Sequence, residues 1–162
     1  MKEESIEVEL AGKYLTFLLL KEHYGISVSA ILQIIAIPSI TPIPKTPEFV
    51  KGVINLRGKI IPVIDLRLQF DLEFMDYTDK SSIIIVRIPD KDKELFIGVT
   101  VDTVLEVLDI IPEEIENKPS FWARLDTSFI LGMAKIKDKV VTLLDIQRIL
   151  SKEEFSMISD QI

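Results

Sequence analysis

The segment FVKGVINLRGKIIPVIDL (49–66) lines up without a gap on FILGMAKIKDKVVTLLDI (129–146). Phe49 falls on Phe129, Gly52 on Gly132, Lys59 on Lys139, Asp65 on Asp145, and Ile60-Ile61 on Val140-Val141. A second block agrees: GISVSAILQII (25–35) matches GVTVDTVLEVL (98–108), with Gly25 on Gly98, Val28 on Val101, Ile31 on Val104 and Leu32 on Leu105. The strands preceding these blocks, 14–20 and 82–88, also correspond. Two blocks repeated in the same order mark a duplicated unit of roughly 65–70 residues, which must bury its apolar face against its twin.

Each copy reads as strand, turn, strand, short helical turn, strand, loop, hairpin. Tyr14–Leu20 and Tyr24–Val28 are strands around the turn Lys21-Glu22-His23, and Ala30–Ile37 is a helical turn running into a strand. Pro38, Pro42, Pro44 and Pro47 forbid regular helix and predict an extended loop. Thr46-Pro47 has the form of a helix start and Gly52 of a stop, which predicts one or two helical turns at 46–51. Arg57-Gly58 between apolar runs is a two-residue hairpin turn. Residues 71–80 form an acidic loop, and Ser82–Ile88 is a strand buried on both faces, returned by Glu94–Val101. Residues 112–128 are irregular. An edge strand through Ile6, Val8 and Leu10 precedes the first copy. Ser151 with Glu154 forms a capping box and Leu150 with Phe155 a hydrophobic staple, giving a helix at 151–158 within a terminal segment 151–162.

Five short strands cannot cover both faces of an open sheet, and closure removes exposed edges. The expectation is therefore an all-β chain with short helices. It has two pseudo-repeated five-stranded SH3-like barrels, the first at about 15–80 and the second at about 81–150, around a shared hydrophobic core, with a C-terminal helix. Ile, Val and Leu dominate the 48% hydrophobic share, and their β-branched members favour strands.

Composition narrows the function. The net charge of −7 repels phosphate backbones and anionic membrane surfaces, so neither nucleic acid nor direct membrane contact is expected. There is no cysteine, which fits a cytosolic home. No apolar run approaches the ~18 residues that span a bilayer. The one histidine, His23, sits in a polar turn without a second ligand nearby. No nucleophile-elbow, zinc-protease, P-loop or dinucleotide motif occurs. Asp65 and Asp145 are a matched pair, and a carboxylate dyad is the alternative enzymatic reading. Strand-end aspartates more often cap turns. No catalytic residue, metal or cofactor is expected.

Binding features are stronger. Arg57 stands at the tip of NLRG, where the other copy has Lys137 in KIKD, so the first copy is the specialised one. Arginine anchors interfaces through its fork of donors. Val28, Ile31, Val101 and Val104 take matched places in the two copies. If the barrels pack about a pseudo-twofold, some of these residues line an apolar groove, of the kind that accepts an amphipathic helix.

GVINLRGKIIPVIDL resembles the signature hairpin of the CheW-like coupling domains of bacterial chemotaxis, and YGISVSAILQIIAIPSITPIPKTPEFVKG, FIGVTVDTVLEVLDI and LLDIQRIL continue the likeness over roughly 13–150. The resemblance implies two five-stranded SH3-like barrels. It implies an adaptor linking the regulatory domain of the histidine kinase CheA to the cytoplasmic tip of chemoreceptors (methyl-accepting chemotaxis proteins). Such an adaptor is cytoplasmic and is recruited to membrane-associated receptor arrays. Carried over by motif, Leu15, Val28, Ile31 and Val101 line the receptor groove with Val104 and Arg57 nearby, and the loop Ile40, Thr41, Pro42, Ile43, Pro44 faces the kinase. Ile37-Pro38 departs from the polar or charged residues of many relatives, so contacts there are expected to differ. A receiver domain of ~120 residues or a kinase core would not fit in this length, which favours the stand-alone adaptor. A coupling module of a non-flagellar CheA-like pathway, such as pilus motility, satisfies the same motifs.

Overall fold

The computed structural model describes residues 10–90, 93–116 and 128–160. The chain alternates hairpins with short links. Its strands are β1 (Gly12–Leu19), β2 (Glu22–Ser27), β3 (Ile31–Ala36), β4 (Val50–Leu56), β5 (Lys59–Asp65), β6 (Ser82–Asp90), β7 (Lys93–Val101), β8 (Thr103–Ile110), β9 (Ile115–Glu116), β10 (Ile130–Ile136) and β11 (Lys139–Leu144). A four-residue helix, Leu66–Gln69, follows β5, and the helix Lys152–Asp160 ends the described chain.

The strands form two sheets, in the orders β8-β1-β2-β11-β10-β9 and β3-β6-β7-β5-β4. The second sheet uses the unbroken middle of the chain, 31–101, and the first is built from both ends, 12–27 and 103–144. This corrects the expected assignment of one barrel to 15–80 and the other to 81–150. The sequence halves are the two copies, but each copy is divided: its first two strands lie in one sheet and its later strands in the other. β3 pairs with β6, and β8 pairs with β1. The exchange is symmetric, as are the parallel contacts of β11 with β2 and of β5 with β7. Local apolar alternation names a strand but not its partner, so the sequence pattern is compatible with either sheet.

Three apolar clusters follow from this arrangement. One sheet wraps Tyr14, Ile110, Ile115, Ala134, Val141 and Leu143; the other wraps Ile54, Ile61, Val63, Ile83 and Ile85. Between the sheets lies a larger layer that includes Phe17, Leu19, Ile26, Ile64, Ile84, Val86, Val99 and Leu144. β6 shows why its sequence lacks alternation. Ile83 and Ile85 point into their own sheet's cluster, while Ile84, Val86 and Ile88 point into the shared layer. Each such side chain contributes roughly 1.5–3 kcal/mol by leaving water.

The hairpin turn is as expected. Arg57 (φ +54°) and Gly58 (φ +87°) are both left-handed, as a twist-matched two-residue turn requires, and the Asn55 side-chain oxygen accepts the Gly58 N–H at 2.8 Å. The predicted helix at 46–51 is absent. Val50 N–H reaches Pro47 O at 3.0 Å in a single turn, and pairing of Val50 with Ile64 then draws the chain into β4. Gly52 serves that strand instead of stopping a helix: at φ +139° its missing Cβ would lie 2.0 Å from Thr41 O. The capping box is present, with Glu154 N–H on Ser151 Oγ at 3.0 Å and Ser151 N–H on Glu154 Oε1 at 2.9 Å. The Phe155 half of the staple, the edge strand expected before Leu10 and most of the irregular segment 112–128 lie outside the described residues or side chains. His23 is in β2, opposite Leu18 and Val141, and not in a turn.

Candidate functional site

The chain changes sheet at two places, and these are matched in the repeat. At the first, Ser27 ends β2, Val28–Ala30 make one 3-10 turn, and β3 starts at Ile31. At the second, Val101 ends β7, Asp102 makes the link, and β8 starts at Thr103. Five of the six expected groove residues sit at or beside these crossovers. Val28 and Ile31 flank the first and Val101 and Val104 the second. Leu15 lies on β1, paired with Ile26 of β2 on one side and Val107 of β8 on the other.

Their exposures differ. Leu15 (5%) and Val101 (2%) are buried in the shared layer. They are therefore the floor beneath the crossovers and cannot be surface contacts, which corrects the expectation for these two. β1 and β7 turn these side chains toward the layer that joins the sheets. Ile31 and Val104 are half-buried against the same layer, and Val28 is exposed at 37%. Beyond them, Leu32 and Ile34 on β3 are exposed, as are their repeat mates Leu105 and Val107 on β8. Both strands are sheet edges. Sequence reasoning matched Leu32 to Leu105 but could not see their exposure, because an aliphatic residue in a strand reads as core.

Arg57 lies apart from this cluster, exposed at the tip of the β4–β5 hairpin, and takes part in none of the ion pairs among the described residues. The 40–44 loop is anchored at one end. Thr41 and Val53 exchange two backbone hydrogen bonds of 2.9 Å, and Ile40 packs on the cluster of the middle sheet. Pro42 and Pro44 are exposed.

The matched aspartates are caps. Asp65 is 1% exposed; its Oδ1 accepts Leu68 N–H at 3.1 Å and its Oδ2 accepts the Tyr77 hydroxyl at 2.6 Å. Burial, and next the bond to Asp65, push the Tyr77 hydroxyl well above its ordinary value. Asp145 accepts Gln147 N–H at 3.1 Å and lies near Arg148. Each aspartate's own N–H bonds the matched phenylalanine carbonyl, Asp65 to Phe49 at 2.8 Å and Asp145 to Phe129 at 2.7 Å. Their oxygens are thus engaged in separate turns, as capping aspartates.

Sequence reasoning missed one cluster. Asp102 accepts Arg67 Nε at 2.8 Å and Arg67 Nη2 on its second oxygen, and that oxygen also accepts Leu20 N–H at 2.6 Å. No local signal joins residues so far apart in the chain. Among the described residues no group of three or more His, Cys, Asp or Glu is placed to hold a metal, and no helix is long and apolar enough to cross a membrane.

The CheW-like domain family matches residues 13–154. The chain is 33% identical to the chemotaxis protein CheW of Klebsiella aerogenes, over 94% of this chain and 92% of that one. It is 30% identical to the CheW of Bacillus subtilis, over 96% and 97%. The crystal structure of the scaffolding protein TtCheW from Thermoanaerobacter tengcongensis superimposes with a TM-score of 0.77 at 37% identity, covering 90% of this chain and 96% of that one. With its two-sheet fold and its duplicated NLRG-type hairpin, this chain belongs to the CheW-like family and is a chemotaxis coupling protein.

Proposed function

We propose that the chain couples a CheA-type histidine kinase to the cytoplasmic tip of chemoreceptors, acting by binding and without catalysis. The receptor's helical hairpin docks at the two crossovers, on Val28, Ile31 and Val104, with Leu32, Ile34, Leu105 and Val107 around them. The kinase's regulatory domain engages the loop Ile40–Pro44, and Arg57 on the neighbouring hairpin supplies a charged anchor. The protein works in the cytoplasm and is held at membrane-associated receptor arrays by these contacts. The observation that carries this reading is the set of exposed aliphatic residues beside both crossovers, at matched positions and on edge strands. Apolar surface of that kind is a docking site for an amphipathic helix.

The test is a titration of a soluble receptor hairpin fragment and of the kinase regulatory domain, each against wild type and Val28→Arg. An unpaired charge in a desolvated contact should weaken receptor binding by about 2 kcal/mol or more while kinase binding holds. Unchanged receptor affinity in a folded Val28→Arg protein would sink the assignment.

A further inference from the structure

The two crossovers are equivalent in the repeat but held very differently. At the first, the 3-10 turn Val28–Ala30 has no buried residue and no side-chain cap bond. Ser29 Oγ meets Ser27 Oγ at 2.9 Å. At the second, Asp102 takes the place that Ser29 has in the first copy, and Arg67 takes the place that Gln147 has in the second. Ser29 and Gln147 are uncharged, and no hydrogen bond joins them among the described residues. Arg67 and Asp102 form a two-pronged ion pair, with side chains only 12% and 22% exposed. Paired, partly desolvated and planar, such a fork is among the stronger polar contacts a protein makes.

Arg67 and Asp102 tie three segments together. Arg67 belongs to the short helix that Asp65 caps inside the core. Asp102 N–H bonds Leu18 O at 3.0 Å, holding the end of β1. Its carboxylate also holds the N–H of Leu20, the first residue of the two-residue β1–β2 turn, which has the left-handed φ of +57° that such a turn uses. The second crossover is therefore anchored to both sheets, and the first has no comparable anchor among the described residues.

We propose that Arg67 and Asp102 are positioning residues: their clasp fixes the wall of the receptor site that carries Val104, above the buried Val101, and leaves the Val28–Ile31 wall to adjust to the docked helix. The inference rests on the groove reading given above. A site with one rigid and one compliant wall keeps its orientation while accepting helices of differing shape. The cost of ordering falls on a single turn.

Two measurements on the full chain test it. Amide hydrogen exchange reads the walls directly. In wild type, Leu20 and Asp102 should exchange at least about tenfold more slowly than Ser29 and Ala30. Asp102→Asn and Arg67→Gln should abolish that difference and leave Ile83–Val86 protected. Titration with a receptor hairpin fragment should then show about tenfold weaker binding by both variants, with binding of the kinase regulatory domain unchanged. Arg67→Lys, which keeps the charge and loses the fork, should fall between wild type and these two variants.

The proposal is overturned if the two walls exchange alike in wild type. It is also overturned if the variants loosen the clasp without weakening receptor binding, or if they weaken both partners equally, as a merely structural role would. If wild type fails to bind the receptor fragment, the groove reading falls; the exchange arm still judges whether one wall is fixed.

Discussion

Matched positions in the two copies share a backbone and differ in what surrounds them. Val28 is exposed and Val101 is sealed in the layer between the sheets. Asp65 is buried under Tyr77, whereas Asp145 faces Arg148 with a quarter of its side chain exposed (25%). Gly52 is pressed against the Thr41 carbonyl, whereas a Cβ added at Gly132 would meet the end of the Leu10 side chain, at 3.2 Å, as its nearest neighbour. Duplication preserved the geometry that builds a hairpin and its cap. It did not preserve the environment: Thr41 of the 37–49 loop bonds Val53 of the first hairpin, and Tyr77 of the 70–81 loop donates to Asp65. The first copy has become the more deeply integrated at its hairpin, and the second at its crossover.

Paired substitutions test that asymmetry. The largest contrast belongs to the valines. Val101→Arg should cost about 4 kcal/mol or more and prevent folding, while Val28→Arg should stay within about 1 kcal/mol of wild type. Thermal melts followed by circular dichroism decide it, and equal effects would remove the distinction between floor and rim. Next come the glycines. Gly52→Ala, with a left-handed φ and a carbonyl in the way, should cost about 3 kcal/mol, against about 1 kcal/mol for Gly132→Ala, in urea unfolding. The caps follow. Asp65→Ala removes the acceptor of the Tyr77 hydroxyl and of one helix N–H and should cost about 2 kcal/mol; Asp145→Ala should cost about 1 kcal/mol.

The smallest effect is one of pH. Tyr77 keeps its proton in the folded state above the ordinary tyrosine value of 10.0. The stability this contributes is complete below that pH. It is lost as pH rises past it, because the unfolded chain releases the proton first. Tyr77→Phe should make the alkaline fall in stability shallower. It should not abolish the fall, since burial also raises Tyr14 and Tyr24. An unchanged slope would mean that the second copy, which has no tyrosine on its cap, is no different in this respect.

Much of this molecule was legible in its residues, and the exceptions have a common cause. The repeat, the Arg57-Gly58 turn, the Ser151–Glu154 box and the cap character of Asp65 and Asp145 depend on neighbours a few positions away, and the structure has them. The helix expected at 46–51 failed because a good local start signal lost to the ladder between β4 and β5. The division of each copy between the two sheets was invisible because alternation does not name a partner. Leu15 and Val101 were expected at a surface on the strength of motif position, and only the packing of two sheets reveals them as floor. The Arg67–Asp102 clasp joins residues 35 positions apart in the chain, a distance at which no spacing rule applies.

Because one sheet occupies the unbroken stretch 31–101, its strands are all available once that stretch has left the ribosome. The other sheet must wait: β1 has only β2 beside it until residues 103–110 arrive, and β2 until 139–144. Synthesis thus favours the middle barrel first, with the N-terminal hairpin held unfinished beside it, a long-range closure that slows folding and prolongs exposure of bare strand edges. Deletions at opposite ends of the chain should accordingly damage the same barrel.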